Sequence, residues 1–137
     1  MTALNRAKAT GLEVSPLDLI SCSESGIDAL YKATGPFDLA ICLEVIEHIP
    51  SWHAHKLLRL LTHCNNIVFS AAHPLQGGTM HVNERPAEYW IAKFNRLEFD
   101  LLEENEAFRS ELSGINIPLW YHQNVQMFRA RYMNPHA

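Results

Sequence analysis

The sequence predicts an α/β domain of the doubly wound kind, and three observations predict it. Residues 37–43 (FDLAICL) are an apolar run broken only by Asp38, the pattern of a strand covered on both faces in a parallel sheet. Residues 67–72 (IVFSAA) are a second such run. Between them Ala54, Leu57, Leu58 and Leu61 fall at helical spacing along one face. The middle of the chain therefore reads strand, helix, strand, a crossover that joins parallel neighbours in the right-handed sense.

The flanking elements follow from local signals. Residues 2–10 read as the tail of a helix, with Gly11 as its C-terminal cap. Residues 12–20 (LEVSPLDLI) read as a short strand running into a turn, weakened by Pro16. Residues 23–34 predict a helix capped by Ser23, with Ile27, Leu30 and Tyr31 on one face. Gly35-Pro36 ends it. Pro50 and Ser51 open the central helix, with Ser51 its cap, and Asn65-Asn66 turns the chain into the second strand. Pro86 suits the first turn of another helix, striped by Tyr89, Trp90, Lys93, Phe94 and Leu97. Strands near 99–103 and 120–129 follow, joined by a long, partly polar connection and able to pair antiparallel at one edge. Alternating helices and strands with an antiparallel end complete the doubly wound pattern.

Composition sets the limits. The 137 residues suffice for one domain, 1–137, and not for two. With 47% hydrophobic and 19% charged residues the chain is globular, and its net charge of −4 argues against a general nucleic-acid binder. No apolar run reaches membrane-span length, and no signal peptide opens the sequence. Cys22, Cys42 and Cys64 form no CxxC pair, which points to free thiols and a cytoplasmic location.

Ligands of open α/β sheets bind beyond the carboxyl ends of strands. Directly after Leu43 stand Glu44, Val45, Ile46, Glu47 and His48. Two carboxylates and an imidazole in five residues suit a binding site; carboxylates at the positive end of the following helix suit the cluster equally well. Asp18 is open to two readings as well, a ligand contact or an ordinary turn aspartate. His53, His55 and His63 belong to the surface of the central helix, and His122 to a strand.

The segment FDLAICLEVIEHIP, then a helix, then NNIVFSAA, resembles the fourth strand, helix and fifth strand of class I S-adenosylmethionine-dependent methyltransferases. QGGTMHVNERPAEYW with FNRLEFDLLEEN looks like the loop, helix and sixth strand of that family, and WYHQNVQMFRA like its seventh strand. NRAKATGLEVSPLDL is similar to the helix, third strand and Asp-containing turn upstream. The E-x-x-E-H block and the GGTxHVNE loop are the most specific parts.

The resemblance implies a Rossmann-like sheet of strand order 3-2-1-4-5-7-6 with an antiparallel last strand. It implies S-adenosylmethionine as cofactor, with Asp18 and Leu19 at the adenine, Leu43 beside the methionine part, Glu44 facing the methyl acceptor, and His48 as base or ligand. In the small-RNA 2′-O-methyltransferases and the ubiquinone-pathway O-methyltransferases the same block binds a divalent metal. Transferred here, Glu44, Glu47, His48 and His81 would hold Mg²⁺ or Mn²⁺, with His73 as a substitute for His81.

The family's glycine-rich turn and ribose-binding acid have no counterpart in the sequence, which contains no G-x-G. The expectation is therefore an incomplete sheet lacking the first two strands, beginning within the helix before the third. The third and fourth strands would be separated by roughly 14 Å, leaving FDLAICL an exposed edge open to self-association or a partner chain; otherwise residues 12–20 would pair directly with 37–43. The implied function is methyl transfer to a heteroatom, foremost oxygen, of a small molecule. The alternatives are a non-catalytic remnant acting as a partner subunit and a metal-dependent RNA 2′-O-methyltransferase, against which the acidic net charge counts.

Overall fold

The computed structural model describes residues 9–11 and 13–132. It is an α/β fold built on a four-stranded mixed sheet. The expected helix over 2–10 lies mostly outside the described residues; Gly11, at its end, has φ +80°, the left-handed conformation of a helix cap.

Helix α1, Glu24–Thr34, begins as its sequence requires: the Gly26 N–H donates to Ser23 Oγ at 3.1 Å. Ile27 and Tyr31 are buried. Strand β1, Leu39–Leu43, leads into a single 3-10 turn, Ile46–His48. Helix α2, Ala54–Leu61, carries it on to strand β2, Asn66–Ser70. A loop over 71–86 precedes helix α3, Ala87–Arg96, and strand β3, Phe99–Leu101. Helices α4, Asn105–Ser113, and α5, Leu119–Asn124, then lead to strand β4, Gln126–Ala130.

The strand order is β1-β2-β4-β3. β1 runs parallel to β2, with Cys42 opposite Phe69, and β4 lies antiparallel between β2 and β3. The core fills one side of the sheet. Cys42, Ile67, Phe69 and Phe128 meet Leu57, Leu58 and Leu61 of α2 and Trp90 and Phe94 of α3. Phe94 stacks on Phe128 at 4.2 Å between ring centroids and meets Phe69 edge-on at 5.2 Å. Each such buried side chain contributes about 1.5–3 kcal/mol of transfer free energy. Trp90 and Phe94 are thus core residues, as the stripe on α3 predicts.

Several expectations are corrected. Residues 13–18 have no regular structure and 19–21 form a turn, so no strand forms over 12–20 among the described residues, and none pairs with β1. Pro16 withholds a ladder donor, and Asp18 closes the turn on itself. β1 is consequently an edge. Its even-numbered side chains, Ala40 and Cys42, face the core, but Leu39 and Ile41 are 46% and 64% exposed. The strand is covered on one face, not two. Its other face forms, with Val68, Phe108 and Tyr121, a wholly apolar cavity of about 570 Å³.

The central helix starts later than expected. Residues 51–53 form a turn, and His53, not Ser51, occupies the cap position without a side-chain cap. The last strand also starts later. Pro118 initiates helix α5, which takes in Trp120 and His122, and β4 begins only at Gln126. The connection before it is helical for most of its length. No helix among the described residues is long and apolar enough to cross a membrane.

Candidate functional site

The site sits at the carboxyl end of β1, where the parallel pair β1–β2 opens. Glu44 leaves the strand with φ +52°, a backbone conformation rare for residues with a Cβ. Its N–H is fastened to buried Ser70 through both Ser70 O and Ser70 Oγ, each at 3.1 Å. This kink starts the 3-10 turn that carries Glu47 and His48. Such strained residues cost about 1–3 kcal/mol and cluster at functional sites.

Glu47 is fully buried, and neither carboxylate oxygen has a hydrogen-bond partner. Burial pushes its carboxyl above the ordinary range, and the nearby Glu44 charge adds to the rise. An unpartnered buried acid is costly. What surrounds it offers an explanation. One ligand atom from each of Glu47, His48 and His81 lies within 4.8 Å of the others. The His48 and His81 rings meet edge to face at 4.8 Å between centroids.

The loop over 71–86 brings His81 there. The backbone carbonyl of Glu47 accepts from the N–H groups of Val82 and Asn83, at 2.8 and 3.0 Å. The turn bearing Glu47 and the loop bearing His81 are therefore tied to each other by main chain. His81 Nδ1 donates to Glu84 Oε1 at 2.8 Å. That bond, aided by the Leu75 N–H, holds the Glu84 carboxyl below the usual carboxylate value. Behind the ring lies Gly78, where an added Cβ would overlap the imidazole.

Glu44 itself turns elsewhere. Its carboxylate accepts from Gln76 Nε2 at 3.2 Å and Asn124 Nδ2 at 3.3 Å. Gln76 and Asn124, the two residues that hold it, line an open cavity of about 520 Å³ together with the loop from His73. Of the expected ligands, the fold brings together Glu47, His48 and His81 and leaves Glu44 outside the cluster, held by two amides. His73 lines that open cavity and is not part of the cluster.

The residues assigned to the cofactor are not gathered at one point. Asp18 is exposed, and its carboxylate accepts from Ser21 Oγ at 2.7 Å and from the Ile20 N–H at 2.9 Å. The Ser21 hydroxyl is the largest cause of its lowered pKa. Leu19 packs at the margin of the core, whereas Leu43 lines the apolar cavity on the opposite face of the sheet.

Glu84, Gln76, Asn124 and Gly78 complete the site and went unassigned from sequence. Glu84 and Gly78 stand in the GGTxHVNE loop, and a His-x-x-Glu spacing was the available signal. Nothing in the sequence marks Gln76 or Asn124, which reach Glu44 only through the fold. No protein-family model, no curated protein and no solved structure matches this chain.

Proposed function

We propose that this chain carries the acceptor-side half of the sheet of an S-adenosylmethionine-dependent O-methyltransferase, with a divalent cation held by Glu47, His48 and His81. The observation that carries the reading is the orphaned Glu47 carboxylate beside two imidazoles at the end of a parallel strand. The order β1-β2-β4-β3 with β4 reversed supports it too, because it agrees with the 4-5-7-6 end of the expected strand order.

The donor set fits a cation. One carboxylate and two imidazoles suit Mn²⁺ or a similar ion and leave positions open for oxygen ligands. A bound cation supplies Lewis acidity, lowering the pKa of an acceptor hydroxyl. The chain's own residues do the rest. Glu47 provides the negative charge in a dry setting. Glu84 fixes the His81 ring so that Nε2 is left free. His48 serves here as a ligand. Gln76 and Asn124, which restrain Glu44, present hydrogen-bonding groups to the neighbouring open cavity, where a small hydroxylated acceptor would be positioned.

S-adenosylmethionine fits the described residues less well. The Asp18 carboxylate is satisfied within its own turn, and Leu43 opens onto a purely apolar cavity. The cation and the acceptor are therefore the ligands proposed for this chain.

The test is calorimetric titration with Mn²⁺, followed by assay of labelled methyl transfer from S-adenosylmethionine to phenolic and sugar hydroxyls. One saturable Mn²⁺ site, lost in Glu47→Ala, is expected. Equal binding by both proteins would sink the cation assignment. No transfer at full Mn²⁺ occupancy would sink the catalytic reading for this chain.

A second reading is favoured by one observation, the exposure of Leu39 and Ile41 on edge strand β1. Under it the chain is a non-catalytic subunit that pairs through that edge.

A further inference from the structure

A third cavity, of about 270 Å³, lies between helices α2 and α3, on the helical layer of the fold. Its lining does not overlap the Glu47–His48–His81 cluster. On one side is the first turn of α2 with Ser51, Ala54 and His55; on the other are Trp90, Lys93 and Arg96 of α3.

Four features give this cavity a positive character. Helix α2 has no side-chain cap and no acidic residue in its first turn, so no carboxylate of its own offsets its positive end. Lys93 and Arg96 form no ion pair among the described residues. Trp90 is 1% exposed, and its indole N–H has no acceptor. Ser51 adds an exposed hydroxyl to the lining. His55 faces Glu24 at 3.6 Å. The remainder of the lining, Leu58, Tyr89 and Leu97, is apolar or aromatic, with Lys93 Nζ 5.4 Å from the Tyr89 ring centroid.

An uncapped helix N-terminus, two cations without an ion pair among the described residues and a buried donor without an acceptor call for one complementary ligand, an oxyanion. The apolar walls favour an anion borne by a small hydrophobic or aromatic body over a bare ion. We infer that the α2–α3 groove is a binding site for a small organic oxyanion, a phosphate monoester or carboxylate on an aromatic or aliphatic group. The site goes beyond the methyltransferase reading and does not depend on it.

Nuclear magnetic resonance of the ¹⁵N-labelled protein tests it, with the Trp90 indole resonance identified by its loss in Trp90→Phe. Phenyl phosphate, benzoate and inorganic phosphate are titrated separately at constant ionic strength. Saturable shifts of the Trp90 indole N–H are expected with phenyl phosphate or benzoate, at least tenfold weaker with inorganic phosphate. The double variant Lys93→Gln/Arg96→Gln, with both changes in exposed or half-exposed chains, should keep its melting temperature and bind the organic anions at least tenfold more weakly. Inorganic phosphate binding as tightly as phenyl phosphate would remove the organic ligand from the proposal. No saturable shift with any of the three, or unaltered binding by the double variant, would overturn it.

Discussion

Glu84 Oε1 lies 2.8 Å from His81 Nδ1, and this contact decides which imidazole nitrogen is left for a ligand. A carboxylate accepting from Nδ1–H places the lone pair on Nε2 and fixes the ring plane. Glu84→Ala removes that tether and the acceptor of the Leu75 N–H together. Losing such a partner typically weakens metal binding by about 10–100-fold. Mn²⁺ titration should give a dissociation constant raised by that order, while Glu84→Gln, which keeps an acceptor, recovers part of the loss. Equal affinity for Glu84→Ala and the parent would show that His81 needs no orienting partner.

Glu47 sets function against stability. Its carboxylate is buried with both oxygens unpartnered, so the cation-free protein carries an uncompensated cost. Glu47→Leu should stabilise the cation-free fold by about 1–3 kcal/mol, because the apolar side chain has nothing to leave unsatisfied. The main-chain bonds from Val82 and Asn83 to the residue 47 carbonyl survive the change. Mn²⁺ at a hundredfold excess over its dissociation constant should add about 2.7 kcal/mol to the parent and nothing to the variant. Thermal melts in chelator and in Mn²⁺ read both effects. A variant that melts lower than the parent in chelator contradicts the prediction.

The pattern of what the sequence revealed follows from the range of the forces involved. Ser23 as a cap and Ile27 and Tyr31 as a buried stripe are set within one helical turn, and they stand as read. The runs at β1 and β2 are set by burial and were equally legible. Register and face were not. FDLAICL reads as a strand covered on both sides, yet whether Ile41 is covered depends on elements distant in the chain. Pro118 stands at the start of α5, but its weight against neighbouring strand-formers is not written in spacing, and nothing local to Pro50 and Ser51 shows that α2 begins only at Ala54. The cluster was half legible: Glu47, His48 and His81 were nameable, whereas the diversion of Glu44 to Gln76 and Asn124 is a purely tertiary event.

The edge reading makes its own prediction. Ile41 projects from β1, 64% exposed, beside an unpaired strand edge without a charged side chain between Leu39 and Leu43. A lysine at such an edge opposes pairing. Ile41→Lys should abolish concentration-dependent association in sedimentation velocity without lowering the melting temperature. A parent that stays monomeric at all concentrations tested argues against pairing between copies of this chain.

Thiol reactivity offers a check on packing. Burial, with the Glu47 charge adding to it, pushes the Cys42 thiol up to about 12, and burial raises Cys64 as well. Cys22 is only half-buried, and its Sγ meets Ser23 O at 3.4 Å. A disulfide reagent at pH 8 should therefore titrate Cys22 rapidly and the other two only in denaturant. Fast reaction of a second thiol in the native protein would place Cys42 or Cys64 outside the core.

The last prediction concerns acid. Asp28 joins α1 to α2, accepting from Arg59 Nε at 2.9 Å and Nη2 at 2.7 Å and meeting His63 Nε2 at 3.0 Å. The Arg59 bonds, with help from His63, hold its carboxyl down to about 2 against an ordinary 3.8. A carboxyl depressed in the folded state stabilises the fold fully above its unfolded value and loses that contribution as pH falls through the folded one. The parent should therefore melt higher than Asp28→Asn at pH 6, and the gap should close between about pH 4 and pH 2. The pair is partly exposed, so the gap is modest and should shrink in 0.5 M salt. Melting curves of both proteins across this window decide the matter: a gap independent of pH would mean that Asp28 acts through its shape and hydrogen bonds, and not through its charge.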